Sequence, residues 1–195
     1  MTMLVIGLLL FVGMHLVLAV APAMRERFIE RFGRGLWRVL FSLVVLTGLY
    51  LIVSGYSSAR MEPVWVWYPP AFLAHLAALL VLVAFVFVVA SYVPGNAIKA
   101  RVGHPMLVGV KTWALAHLLV NGTLADILLF GSFLAWGVIG FILHRKADRA
   151  AGLHSTGATS LPATLVTLAG GVIFTGIFAL WLHPLLIGVP AILKS

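Results

Sequence analysis

Apolar residues in this chain come in long runs, not in alternation with polar ones. Six runs stand out, at about residues 4–20, 36–54, 71–93, 107–120, 124–143 and 161–182. Runs of roughly 20 apolar residues are long enough to cross a bilayer as helices. In lipid, only helices and closed barrels satisfy every backbone polar group, and the alternation of a barrel strand is missing here. The pattern predicts an all-α fold, a polytopic transmembrane bundle of about six helices, read as one integral-membrane domain over residues 1–195. The run 107–120 is the weakest and carries Lys111 and His117. It is expected to be shielded by neighbouring helices, not by lipid.

Composition agrees with the pattern. The chain is 63% hydrophobic and 9% charged, where soluble domains carry about a quarter charged residues. Ala19-Val20-Ala21 looks like a signal cleavage site, but no basic stretch precedes the first run and Pro22 follows directly. The run is therefore read as a retained helix.

Charge placement gives an orientation. Arg25, Arg27, Arg31, Arg34 and Arg38 follow the first run, Lys99 and Arg101 the third, and Arg145, Lys146 and Arg149 the fifth. The alternate connections and tails offer only Arg60 and Lys194. Positive charge stays cytoplasmic in short loops, so both termini are expected on the periplasmic or outer side. The formal charge of +8 then requires no nucleic-acid partner. The partner is the lipid bilayer, including its anionic head groups.

Trp65, Trp67 and Tyr68, ahead of Pro69-Pro70, are expected to anchor at the headgroup level. The alternative is an aromatic wall at the entrance for an apolar ligand. With no cysteine, disulfides, thiolate metal centres and cysteine-linked haem are excluded. Phosphate-loop, zinc-protease and nucleophile-elbow motifs are missing as well.

The candidate chemistry lies in the histidines. His15 and His117 sit inside apolar runs, where ionisable groups are costly and signal function by default. At 1.5 Å per residue, His15 lies about 10 Å and His117 about 15 Å from the basic ends of their runs. The two depths are expected to match, so that the pair flanks one planar cofactor, as in sites built on facing helices of a bundle. Zinc is disfavoured because no carboxylate or thiolate joins them. The plainer alternative is that each is a packing residue, with Asn121 one turn away to satisfy His117.

His75 and His183 read as interfacial or capping residues, and His144 and His154 as solvated. His104, before Pro105, groups with Arg101 and Lys111 at the mouth of the fourth run. The three are suited to grip a carboxylate or propionate, with snorkelling against phospholipid as the alternative. Asp126 reads as a first-turn charge complementing a helix dipole. Gly131 with Ala135 reads as a small-residue pair for close helix approach, within the chain or between copies in an oligomer, and Gly170-Gly171 as close packing or a mild kink.

Several motifs together resemble a known family. They are Arg101-x-x-His104-Pro105, then Lys111-x-Trp113-Ala114-Leu115-Ala116-His117-Leu118-Leu119-Val120-Asn121-Gly122, then Ala125-Asp126-x-Leu128-x-Phe130-Gly131. With His15 and Gly33-Arg34-x-Leu36-Trp37-Arg38, they make the chain similar to the NnrU family of membrane proteins over nearly its whole length. Arg-x-x-His-Pro alone is shared with membrane methyltransferases, but the basic stretch 144–160 offers no cofactor-binding region for that chemistry.

The resemblance implies a bacterial inner-membrane protein and two functional expectations. Bacterial members are associated with nitrite and nitric oxide reduction, as accessory or electron-transfer proteins. Plant relatives include zeta-carotene isomerase, a haem b enzyme that isomerises one double bond of a polyene. Its haem histidines match His15 and His117. The resemblance therefore implies haem b held by those two residues, with Lys111, Arg101 and His104 as cofactor-binding candidates. The plant enzyme has a cysteine where this chain has Ala114, so ligand exchange at that position is not expected here.

Overall fold

The computed structural model describes residues 1–152 and 158–191. Among them the regular structure is helical: α1 (Thr2–Val20), α2 (Pro22–Met61), α3 (Leu73–Tyr92), α4 (Ala97–Val102), α5 (Pro105–Leu118), α6 (Leu124–Ala150), α7 (Leu161–Ile177) and α8 (His183–Ile187). A turn of π-helix, Phe178–Leu182, joins α7 to α8. By length and composition, α1, α2, α3, α6 and the rod from Leu161 to Ile187 are five helices able to cross a membrane. The remaining run forms α5, whose 14 residues reach about 21 Å, short of a hydrocarbon core of about 30 Å. It is wedged between α3 and α6, which gives its polar residues the expected protein neighbours.

Two boundaries differ from the sequence expectation. The run 36–54 is part of the much longer α2, because the arginine-rich stretch before it is helical. Pro22 starts that stretch in the favoured first-turn position, and its arginines and glutamates are good helix formers. A break comes only at Gly33, whose backbone is non-helical. The last run passes through the π turn into α8. The short α4 was not expected from hydropathy. Asn96 caps it by accepting a hydrogen bond from the Lys99 amide.

The helices pack in the order α2–α1–α6–α5–α3–α7, with a smaller contact between α2 and α6. Lipid tails provide no hydrophobic drive between helices, so close approach of backbones has to supply the packing. At the α1–α2 seam, a Cβ on Gly7 would stand 2.6 Å from the Ile52 nitrogen, and one on Gly48 2.8 Å from the Phe11 nitrogen. Any larger residue there would push the helices apart. Gly109, Gly137 and Gly171 lie equally close to α3, α5 and α3 respectively. Gly131 is different, with open space where its Cβ would be, so it is not a packing position within the chain.

Away from the basic loops, the connection after α2 straps the α5–α6 turn. The amides of Val66 and Trp67 donate to the Gly122 carbonyl, and that of Leu124 to the Val64 carbonyl. Trp65 and Tyr68 stack on each other and stay exposed. The strap fixes the turn that follows His117.

Candidate functional site

His15 and His117 have the same local arrangement on different helices. The Nδ1–H of His15 donates to the Phe11 carbonyl at 2.6 Å, and that of His117 donates to the Trp113 carbonyl at 2.9 Å. A carbonyl only accepts, so Nδ1 carries the proton of each bond, and a neutral ring held in this way has its lone pair on Nε2. This second hydrogen bond is what orients a metal-binding imidazole. No buried side-chain nitrogen or oxygen among the described residues lacks a partner, and neither Nε2 has one, so both are accessible from outside the protein atoms. Asn121 does not satisfy the His117 ring. Its amide donates instead to the His117 carbonyl at 2.9 Å.

Helix α6 stands between the two. The His15 ring lies 5.0 Å from that of Trp136 and 4.7 Å from that of Phe11. The His117 ring stacks on Phe130 at 4.5 Å and lies 4.9 Å from Trp113. Phe133 touches Phe11, Trp113 and Trp136, so a continuous aromatic layer joins the histidines. Phe130 and Trp136 are six residues apart on α6, or about 9 Å along its axis. The matched depth expected from the sequence is thus replaced by an offset. In donor chemistry the pair fits a haem: two imidazoles, each with Nδ1 held by a carbonyl and Nε2 unbonded, among flat apolar rings.

Beside His117 lies a polar group that sequence reasoning underrated. Asp126 is buried at 5% exposure and closes a capping box with Thr123 at the start of α6. It also accepts a hydrogen bond from the Tyr56 hydroxyl of α2 at 2.5 Å. The Tyr56 ring contacts Phe130, and the Arg60 guanidinium lies 5.8 Å from the Tyr56 ring while donating to the Ile187 carbonyl. Asp126 is therefore a cross-helix tie as well as a first-turn charge. The spacing Tyr56-x-x-x-Arg60 on one helix face was the available signal.

The grouping of Arg101, His104 and Lys111 is looser than expected. The Nε2 of His104 is paired with Asp148 of α6 at 2.7 Å, and its ring lies 5.0 Å from that of His144. The Lys111 ammonium lies 4.2 Å from the centre of the Phe141 ring, a cation–π contact at the α5–α6 seam. Arg101 is exposed on α4. Asp148, Phe141, Phe133 and Trp136 sit on α6, and nothing in the sequence marked that face as common to all of them.

His75 is exposed, and His183 bonds the Val189 carbonyl at 2.8 Å, closing the turn after α8. His144 is exposed, as expected. His154 and Lys194 lie outside the described residues. Among the described residues, no group of three or more histidine, aspartate or glutamate side chains is placed to hold a metal ion.

No curated protein and no solved structure matches the chain. The family model described as NnrU protein matches residues 3–191. That span contains both intramembrane histidines, the aromatic layer and the Tyr56–Asp126 tie, and with its apolar helices the chain is an integral membrane protein that belongs to the NnrU family.

Proposed function

We propose that this protein holds haem b through His15 and His117 and isomerises a double bond of an apolar polyene that reaches it from the lipid. The observation that carries the reading is the arrangement shared by the two histidines, each with Nδ1 tied to the carbonyl four residues earlier and Nε2 left accessible. Ser91 and Thr167 also bond the carbonyl four residues earlier, so what sets the two histidines apart is the open Nε2.

Bound haem would supply an iron centre whose potential is set by axial ligands and burial. The chain's own residues do the rest. The carbonyls of Phe11 and Trp113 orient the imidazoles by accepting from Nδ1–H, and the aromatic layer gives a flat-faced setting. Lys111 backs onto Gly137, one residue from Trp136, and its ammonium lies over Phe141 toward the basic end. We assign it to a propionate, with His104 and Arg101 nearer the basic end. An apolar groove of about 220 Å³ between α1 and α6 is lined by Val12, Leu16 and Leu128. It offers a polyene a path next to His15. The basic end is taken as cytoplasmic, in a bacterial inner membrane.

A second reading, an electron-transfer or accessory protein for nitrite and nitric oxide reduction, is favoured by the unbroken aromatic contact between the histidines. Carbon monoxide binding and turnover separate the two. An isomerase binds carbon monoxide when reduced and converts a 15-cis polyene at a rate proportional to its haem content. If the reduced pigment ignores carbon monoxide and leaves the polyene unchanged, the isomerase reading fails and the carrier reading stands.

A further inference from the structure

We propose that residues 22–32, the first part of α2, form an interfacial helix that docks on anionic phospholipid at the basic end of the bundle. The inference is independent of haem. It starts from a geometric misfit. The rest of α2 packs directly on α1 through Gly7 and Gly48, which places the two axes about 8–10 Å apart. An eleven-residue helix is about 16 Å long, so it cannot simply bridge two helix ends that close. It projects beyond them instead. Every residue of 22–32 except Phe28 and Ile29 is exposed.

Gly33 makes the change of direction. Its φ of 86° and ψ of 158° belong to a region open essentially only to glycine. Phe28 folds back on Trp37 at 5.4 Å, setting the stretch against the start of the membrane-spanning part of α2.

The order of side chains around this short helix names the partner. At 100° per residue, Met24, Phe28 and Phe32 fall on one face with Ile29 beside them. Met24 is 43% and Phe32 52% exposed, so the protein covers the face only in part, at Phe28 and Ile29. Arg27 and Arg31 flank it on one side, Arg25 falls between Phe32 and Ile29, and Arg34 and Arg38 follow the bend. Glu26 and Glu30 point away from the apolar face. An apolar face edged by Arg27 and Arg31 and crossed by Arg25, with an acidic back, matches a helix lying in a membrane interface. Arginine stems can follow the apolar surface while their heads reach phosphate oxygens. A protein groove would also take an apolar face, but it gives no reason for placing every glutamate at the back. Juxtamembrane arginines are drawn to anionic head groups.

The chain has no cysteine, so single-cysteine labelling is clean. Met24→Cys, Phe32→Cys, Glu26→Cys and Glu30→Cys would be spin-labelled in the full chain. Each would be reconstituted into phosphatidylcholine vesicles with and without phosphatidylglycerol. Oxygen reports lipid exposure and a nickel chelate reports water. With phosphatidylglycerol, the labels at 24 and 32 should favour oxygen and those at 26 and 30 the chelate, a contrast of severalfold. Replacing Arg25, Arg27 and Arg31 with Gln, or omitting phosphatidylglycerol, should at least halve it. Equal accessibility at all four positions would overturn the proposal. So would a contrast indifferent to lipid charge, or four labels shielded from both reagents, the signature of a protein partner. A label at exposed Leu79 serves as a folding control: it should favour oxygen in every sample.

Discussion

The α1–α6–α5 side of the bundle and the α3–α7 side are built from equally apolar helices, yet they treat polar groups differently. On the α3–α7 side, the hydroxyls of Ser91, Thr167 and Thr175 each donate to the carbonyl four residues earlier. Every one donates within its own helix, and aromatic contacts such as Phe85 with Phe174 and Phe178 join the close approach at Gly171 in holding the two helices together. On the α1–α6–α5 side, Tyr56 and Asp126 are tied across helices. His15 and His117 leave one nitrogen each without a protein partner. Polar groups within a membrane are costly, so two half-buried imidazoles with an open nitrogen each mark that side as the candidate site.

The sharpest way to break this comparison is to remove the histidines. His15→Ala and His117→Ala are each expected to lower haem per polypeptide at least tenfold, the scale of loss that even outer-shell changes at metal sites reach. His75→Ala should leave it unchanged. Haem quantified against protein in detergent checks all three.

A smaller effect is expected at the cross-helix tie. Asp126→Ala strands the Tyr56 hydroxyl and the Thr123 cap, and should destabilise the fold by about 3 kcal/mol. Tyr56→Phe removes one charge-assisted hydrogen bond and should cost about 2 kcal/mol. Thermal unfolding in detergent gives both. Equal effects from Thr167→Val, whose bond stays within one helix, would erase the distinction between the two sides.

The aromatic layer gives a kinetic test. Because Phe133 lies between the histidines, Phe133→Ala should speed haem uptake about threefold, matching one ordered side chain fewer to displace. Phe174→Ala, on the other side, should not change it. The smallest effect belongs to the His104–Asp148 pair, whose side chains are 27% and 26% exposed. Asp148→Asn should cost less than about 1 kcal/mol.

Much of the fold was legible because bilayer thickness writes itself into the sequence as run length. The runs at 4–20, 71–93, 124–143 and 161–182 all became helices. Hydropathy gives the arginine-rich stretch no helix because it detects lipid contact, whereas helix formation depends on backbone freedom and is interrupted only at Gly33. At the site, His15 and His117 were legible as misplaced polar residues. Their offset was not, because it depends on which turn of α6 each ring meets. The Tyr56–Asp126 bond was equally hidden, since it joins residues 70 positions apart on helices that share only a small contact.

The visible spectrum of the detergent-purified protein, oxidised and dithionite-reduced, bears most directly on the central claim. A Soret band with split low-spin peaks on reduction, lost or altered in both His15→Ala and His117→Ala, is the expected result. A folded protein that stays colourless after haem supplementation, or a haem spectrum untouched by both substitutions, would contradict it.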